Sequence, residues 1–323
     1  MKRKNLYIVN FIMILTIFIM SCKSAPEHTT SIDKNFEPTG LIVIPFTYNS
    51  DEYMPVFTMS NSDGVKLRLC FDSGNSCCFI SKKGIEKVGS NEKEMESCIF
   101  KQLLEKYPEQ KESFLRKKAK KMIKEGKCGW TFDSLIKDNY KVENRYFQYR
   151  SNFIKETNID GLIGLSFFGD CKNVVIDYVH QIIEIDAKTL DGHKCQMTKV
   201  PDLNMYKTQI EIDKIKQDAI IDTGSKQFFL RKGYKRLDTM TEEQKIDFIF
   251  NGYAWPSFPC VHTVLVKVGS LEQELSGYYA TNIFAEGSSS FDRIGSVYNL
   301  LGYSFFKDHR IQFDFKNSQF IIE

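Results

Sequence analysis

Several signatures of common hydrolase and binding chemistries are missing from this 323-residue chain. Histidine is scarce, with five in all and no His-Glu-x-x-His pair, so the usual zinc-peptidase arrangement has no foundation. No Gly-x-Ser-x-Gly turn is present to carry a serine nucleophile. No two cysteines stand at Cys-x-x-Cys spacing, which removes the common structural zinc signature. Gly295 and Gly302 belong to no phosphate-binding loop. A basic excess is also absent. Lys plus Arg is 44 and Asp plus Glu is 41, and without Lys2, Arg3 and Lys4 the balance is 41 against 41. Nucleic acid is therefore not an expected partner, because affinity for it comes largely from counterions released by clustered positive charge.

The most apolar run, Leu6 to Met20, is short for a membrane span. Preceded by Lys2-Arg3-Lys4, it reads as a cleaved export signal over residues 1–22. Ile19-Met20-Ser21-Cys22 resembles the lipobox of bacterial lipoproteins. That resemblance implies lipid on Cys22 and attachment of the exported protein to a membrane surface by acyl chains. Residues 23–40 are polar and carry Ser, Thr and Pro, as a tether does. Eight further cysteines (Cys70, Cys77, Cys78, Cys98, Cys128, Cys171, Cys195 and Cys260) are an even set that permits disulfides in an exported chain without specifying their pairing.

The organising feature is a duplicated pattern. Cys70-Phe71-Asp72-Ser73-Gly74 is followed by Phe79-Ile80, and Ile220-Ile221-Asp222-Thr223-Gly224-Ser225 by Phe228-Phe229-Leu230. Each copy has a downstream partner: Gly161-Leu162-Ile163-Gly164-Leu165-Ser166-Phe167-Phe168 for the first, Leu300-Leu301-Gly302-Tyr303-Ser304-Phe305-Phe306 for the second. Gly164 lies 92 positions after Asp72, and Gly302 lies 80 after Asp222. One Asp-Ser/Thr-Gly triplet alone is ordinary turn chemistry. Two triplets, each with its own apolar-apolar-Gly segment, make one unit used twice.

This paired order of motifs, over roughly residues 41 to 323, resembles the aspartic proteases. The resemblance implies a mainly β fold of two homologous acid-protease-like β-barrel lobes with an active-site cleft between them. The lobes would cover 41–190 and 195–323 of a single chain, each supplying one catalytic aspartate, Asp72 and Asp222. Ser73, Gly74, Thr223, Gly224 and Ser225 would support the loops, Ser73 by gripping the opposing loop through its hydroxyl. Gly74 suits the sharp turn after Asp72, where a positive φ costs only glycine nothing. Asn75 departs from the small Ala, Ser or Thr usual at that position.

Between triplet and closing glycine the first repeat carries material foreign to that family. Asn91 with Glu94 marks a helix start, Ile99, Leu103 and Leu104 fall at helical spacing, and Pro108 interrupts before Phe114, Leu115, Met122 and Ile123 continue. The spacing predicts a two-segment helical insertion over about 91–125. Its second segment is rich in lysine from Arg116 to Lys127, either a site for anionic lipid or, as the nearby glutamates favour, a solvated face. Trp130 to Asn152 is rich in β-formers and occupies the place of a substrate-covering flap, with Tyr140, Tyr146 and Tyr149 as candidates. In the second repeat Thr241-Glu242-Glu243-Gln244 opens a helix that runs through Phe250, Tyr253 to Val268 and Tyr278 to Ile283 read as strands, and Glu286 to Ser290 reads as a loop.

Two carboxylates about 3 Å apart cannot both ionise and share one proton. One then activates water while the other polarises a carbonyl, with neither metal nor cofactor required. The sequence thus leads to a monomeric, lipid-anchored endopeptidase acting on polypeptides. The rival is a binding lipoprotein that retains the fold without turnover, suggested by Asn75, the unrecognised flap and the insertion.

Overall fold

The computed structural model describes residues 36–49, 53–150, 158–169, 171–201, 203–231, 262–279 and 297–323. Cys22, Cys260, the expected helix at 241–250, residues 280–283 of an expected strand and the loop at 286–290 lie outside the described residues.

Alternation of apolar and polar residues builds the first barrel. β1 (Ile42–Pro45) and β2 (Thr47–Tyr48) lead into β3 (Pro55–Asn61) and β4 (Lys66–Phe71). The turn between β3 and β4 is Asn61–Asp63–Gly64, where Gly64 takes φ +79° and the Asn61 side chain accepts from the Asp63 and Val65 amides. After Asp72 come β5 (Cys78–Ile80) and a short helix α1 (Lys82–Lys87), capped by Ser81. Nothing in the apolar spacing announced α1. The insertion follows as α2 (Glu92–Lys106) and α3 (Glu112–Lys124). Asn91 accepts from the Lys93 and Glu94 amides at 3.0 and 3.1 Å, as its place before the run predicts. Met95, Ile99, Phe100 and Leu103 of α2 and Leu115 and Ala119 of α3 are buried in the core. The lysine-rich face is offset locally: Arg116 lies near Glu112 and over the Phe100 ring, Lys118 over Tyr107, Lys120 near Glu96, and Lys121 and Lys127 beside Glu125.

β6 (Gly129–Lys137) and β7 (Tyr140–Tyr149) form a hairpin, and β8 (Gly161–Ile163) precedes a 3-10 turn, Leu165–Phe168. Strands β3-β4-β8-β5-β7-β6 are neighbours in that order, and β3 pairs with β6 to close the ring. In the second half β12 (Tyr206–Ile212), β13 (Ile215–Ile221), β14 (Phe228–Leu230), β15 (His262–Val268), β16 (Leu271–Tyr279) and β17 (Asn299–Leu301) repeat the scheme. Their order is β12-β13-β17-β14-β16-β15, closed by β12 with β15. The parallel pairs β4–β8 and β5–β7 of one barrel recur as β13–β17 and β14–β16 of the other. The fold is therefore mainly β, with two six-stranded closed barrels, as the acid-protease resemblance implies.

The halves share their base. β9 (Asn173–Asp177) and β10 (Ile182–Ile185) join β1 from the first half. β11 (His193–Lys199), β18 (Arg310–Asp314) and β19 (Gln319–Ile322) come from the second, with α4 (Tyr303–Phe306) before β18. They assemble in the order β1-β10-β9-β18-β19-β11, and β18 bonds β9 across the pseudo-symmetry from Arg310↔Asp177 to Asp314↔Asn173. β11 begins before the repeat boundary expected at residue 195, because its pairing with β19 draws in His193 and Lys194. The tether also ends earlier than residue 40: Thr39 and Gly40 donate their amides to Glu184.

Arg310 fastens this base. Its guanidinium meets Asp177 at 3.0 Å, Glu184 at 3.0 Å and Glu323 at 2.6 Å, and the first two carboxylates are fully buried. Removing one member of such a group strands buried charge and costs about 3–5 kcal/mol. Arg310→Ala is expected to lower the urea midpoint by a corresponding amount. An unchanged midpoint would mean that the sheet pairing alone holds the halves together.

Candidate active site

Each aspartate sits where a barrel strand ends against its closing segment. The Asp72 amide donates to the Ile163 carbonyl at 2.9 Å, and that of Asp222 to Leu301 at 3.0 Å. Phe167, Phe168, Phe305 and Phe306, from the two Ser-Phe-Phe runs, are buried beneath these strand ends. Burying each phenylalanine contributes about 2–3 kcal/mol, so the closing segments are firm supports. Gly164 and Gly302 are required there by close approach. A Cβ on Gly164 would strike the Asn75 carbonyl, and one on Gly302 the Ser225 and Gln227 carbonyls.

The two loops grip each other. The Ser73 hydroxyl donates to the Ile221 carbonyl at 2.7 Å and accepts from the Thr223 amide at 2.9 Å, while the Ser73 amide donates to the Thr223 hydroxyl at 2.8 Å. Ser73 and Thr223 are fully buried. Within each loop the glycine amide turns back on its own aspartate, Gly74 to Asp72 Oδ1 at 2.8 Å and Gly224 to Asp222 Oδ1 at 3.0 Å. The reason for Gly74 differs from the one expected. Neither glycine takes a positive φ. A Cβ on Gly74 would instead fall on the Asp222 carboxyl, and one on Gly224 on that of Asp72. Only a residue without a side chain lets the two carboxyls meet.

Asp72 and Asp222 are hydrogen-bonded to each other and nearly sealed from solvent. Burial pushes both above the ordinary carboxylate range. For Asp72, bonds from Asp222 and from the Gly74, Asn75 and Gly224 donors pull the other way. For Asp222, the negative charge of Asp72 adds to burial and raises it well above that range. The pair thus holds one proton over a range of pH that two exposed aspartates would not.

Ser225, expected as loop support, bonds its hydroxyl to the Gln227 carbonyl at 2.9 Å and gives its amide to the Asp222 carbonyl at 3.1 Å. Asn75, noted from the sequence only as a departure, donates its side-chain amide to Asp72 Oδ2. Two tyrosines near the dyad had no sequence signal. Tyr178, in the turn after β9, is buried, feels the charge of both aspartates, and its hydroxyl has no hydrogen-bond partner among the described residues. Tyr303 follows the closing glycine Gly302, and its ring lies 5.5 Å from that of Tyr178 and 5.9 Å from that of Tyr48. A cavity of about 400 Å³ opens beside the second loop, lined in part by Lys226, Gln227, Tyr303, Ser304 and Lys307.

The flap candidates fare differently. Tyr140 and Tyr149 are core residues, whereas Tyr146 is 54% exposed. Phe147 of β7 pairs with Cys78 beside the first loop, so the hairpin turn at Asp138 lies nine residues away. Among the described residues, Cys77, Cys78, Cys98, Cys128 and Cys195 form no disulfide.

A solved retropepsin-like aspartic protease from Rickettsia conorii is similar to this chain, at 14% identity over 45% of this chain and 90% of that one, with a TM-score of 0.30. No family model and no curated protein matches the chain. The fold assignment rests on the strand pairing and the closed rings described above.

Ser73→Ala leaves the Thr223 amide and Ile221 carbonyl buried without partners, at about 1–3 kcal/mol each. A loss of about 2 kcal/mol or more in chemical denaturation is expected. The dyad also links stability to pH. A carboxyl whose folded pKa is raised contributes stability that is present at low pH and lost as pH rises through that pKa. Asp222→Asn removes this loss. Its stability gain over the parent should be larger at about pH 7.5 than at about pH 5, and equal gains at both would contradict a raised folded pKa.

Proposed function

We propose that this chain is an aspartic endopeptidase that hydrolyses peptide bonds with a water held between Asp72 and Asp222. The observation that carries the reading is the meeting of two buried carboxyls, one from each barrel, across glycines that have no room for a side chain. The ionised carboxyl takes a proton from the water as it attacks the peptide carbonyl. The protonated carboxyl donates to the carbonyl oxygen, where negative charge develops. Proton transfer to the departing amine restores the pair. No covalent intermediate with the protein forms.

The substrate class follows from shape. An extended polypeptide fits a cleft between two barrels and can pair its backbone with flanking strands. A binding lipoprotein without turnover is the rival. Two carboxyls buried against each other are costly when both are ionised, a cost that sharing one proton relieves.

We further propose that residues 1–22 direct export, that Cys22 carries the lipid, and that the protein acts as a monomer facing the periplasm or the cell surface. The sequence of the n-region, apolar run and Ile19-Met20-Ser21-Cys22 supports this. Among the described residues no helix is long and apolar enough to cross a membrane.

A soluble form beginning at Lys23 should cleave an unfolded protein with a bell-shaped pH dependence. Asp72→Asn and Asp222→Asn should each lower the rate by at least ~100-fold. Folded parent protein that cleaves nothing at any pH, or variants that cleave as the parent does, would overturn the proposal. In a bacterial host, labelled fatty acid should enter the full-length protein and not its Cys22→Ala variant; a parent that takes up no label would count against the lipid anchor.

A further inference from the structure

The two loops are nearly interchangeable in their backbone bonding. Asn75 gives its amide to the Asp72 carbonyl at 3.2 Å, and Ser225 gives its own to that of Asp222 at 3.1 Å. Gly74 and Gly224 bond the Oδ1 atoms of their own aspartates. The third residue after each aspartate breaks this symmetry. The Asn75 side chain donates to Oδ2 of Asp72. The Ser225 side chain turns to the Gln227 carbonyl instead. Asn75 is held for this task from both sides. Its carbonyl lies against Gly164, and Asn204, from the second half, donates to the carbonyl of the adjacent Ser76 at 2.9 Å.

We propose that Asn75 is the positioning residue that decides which carboxyl of the pair carries the shared proton: its amide donor keeps Asp72 ionised as the base, and the proton resides on Asp222. This deepens the endopeptidase reading and rests on it. A donor to a carboxylate stabilises the charged form, because the full negative charge makes it a stronger acceptor than a protonated carboxyl. Without Asn75 the two carboxyls differ little in bonding, and the proton would be divided between them. Among the described residues, the other titratable groups around the pair do not reverse the bias. Asp222 is the partner itself. Tyr178, from the turn after β9, is kept neutral chiefly by burial. Tyr48 and Tyr303 pack around Tyr178, and Lys226, next to Ser225, has its ammonium 5.7 Å from the centre of the Tyr53 ring.

The test is the pH dependence of kcat/KM for Asn75→Ala and Asn75→Ser beside the parent. Losing a donor to the ionised base raises its pKa, so the acid limb of Asn75→Ala should move up by about one pH unit or more. A serine hydroxyl should restore part of that shift. Unfolding midpoints at a pH above the acid limb report whether a variant is simply less folded. Carbon-13 aspartate labelling supplies a readout that needs no turnover: the carboxyl signal lost in Asp72→Asn identifies Asp72, and its midpoint should rise in Asn75→Ala. An acid limb and an Asp72 midpoint that stay in place, or a shift confined to the alkaline limb, would overturn the assignment. If the parent cleaves nothing, the endopeptidase reading fails on its own, and the Asp72 midpoint still decides whether Asn75 sets the asymmetry.

Discussion

Two carboxyl groups pressed together out of water are the constraint to which the rest of this molecule answers. Left alone, such a pair pushes its strands apart, because burial and mutual repulsion both disfavour the charged forms. It is held by three crossed hydrogen bonds through Ser73 and Thr223, all buried, where an unmet partner is expensive. The loops can approach this closely only because Gly74 and Gly224 present no side chain to the opposite aspartate. Grip and gap are thus two sides of one arrangement. The hydroxyls supply the attraction, and the glycines remove the obstacle.

Such a contact can be kept only on a rigid support. Each loop springs from the buried end of a strand, β4 or β13, paired in parallel with the short, buried closing strand β8 or β17. Phenylalanines after the closing glycines fill the space below. The two barrels are tied together by the six-stranded base, in which β9 and β18 bond across the halves and Arg310 gathers Asp177, Glu184 and Glu323. A relative shift of the barrels by even a small distance would disturb a dyad that depends on close contact. The base resists that shift with both sheet pairing and buried charge.

The first lobe departs from its sibling where the chain can vary without touching this machinery. Helices α2 and α3 enter between β5 and β6 and bury one face each, Met95, Ile99, Phe100 and Leu103 with Leu115 and Ala119. Their lysines stay at the surface beside glutamates and aromatic rings, interactions that are individually weak in water. Asn75 is a different kind of departure, because it lies within hydrogen-bond reach of one carboxyl and so divides two otherwise matching loops.

Much of this was legible in the chain itself. Duplicated triplets and closing glycines, Asp72 with Gly164 and Asp222 with Gly302, are local patterns set by strand ends and tight approaches, so residue order alone revealed the two lobes. The helix start at Asn91 was legible for the same reason: a cap is satisfied by residues a few positions apart. What only the tertiary structure decided are contacts between residues far apart in sequence. Gly74 looked like a turn residue and is instead a gap for Asp222, 148 positions away. The sharing of β9 and β18, the ring of Tyr303 beside Tyr178 and the Asn75 donor likewise depend on where the barrels come to rest. Sequence spacing records the conformation each segment prefers. Which segments meet is decided only when the burial of all of them is satisfied at once.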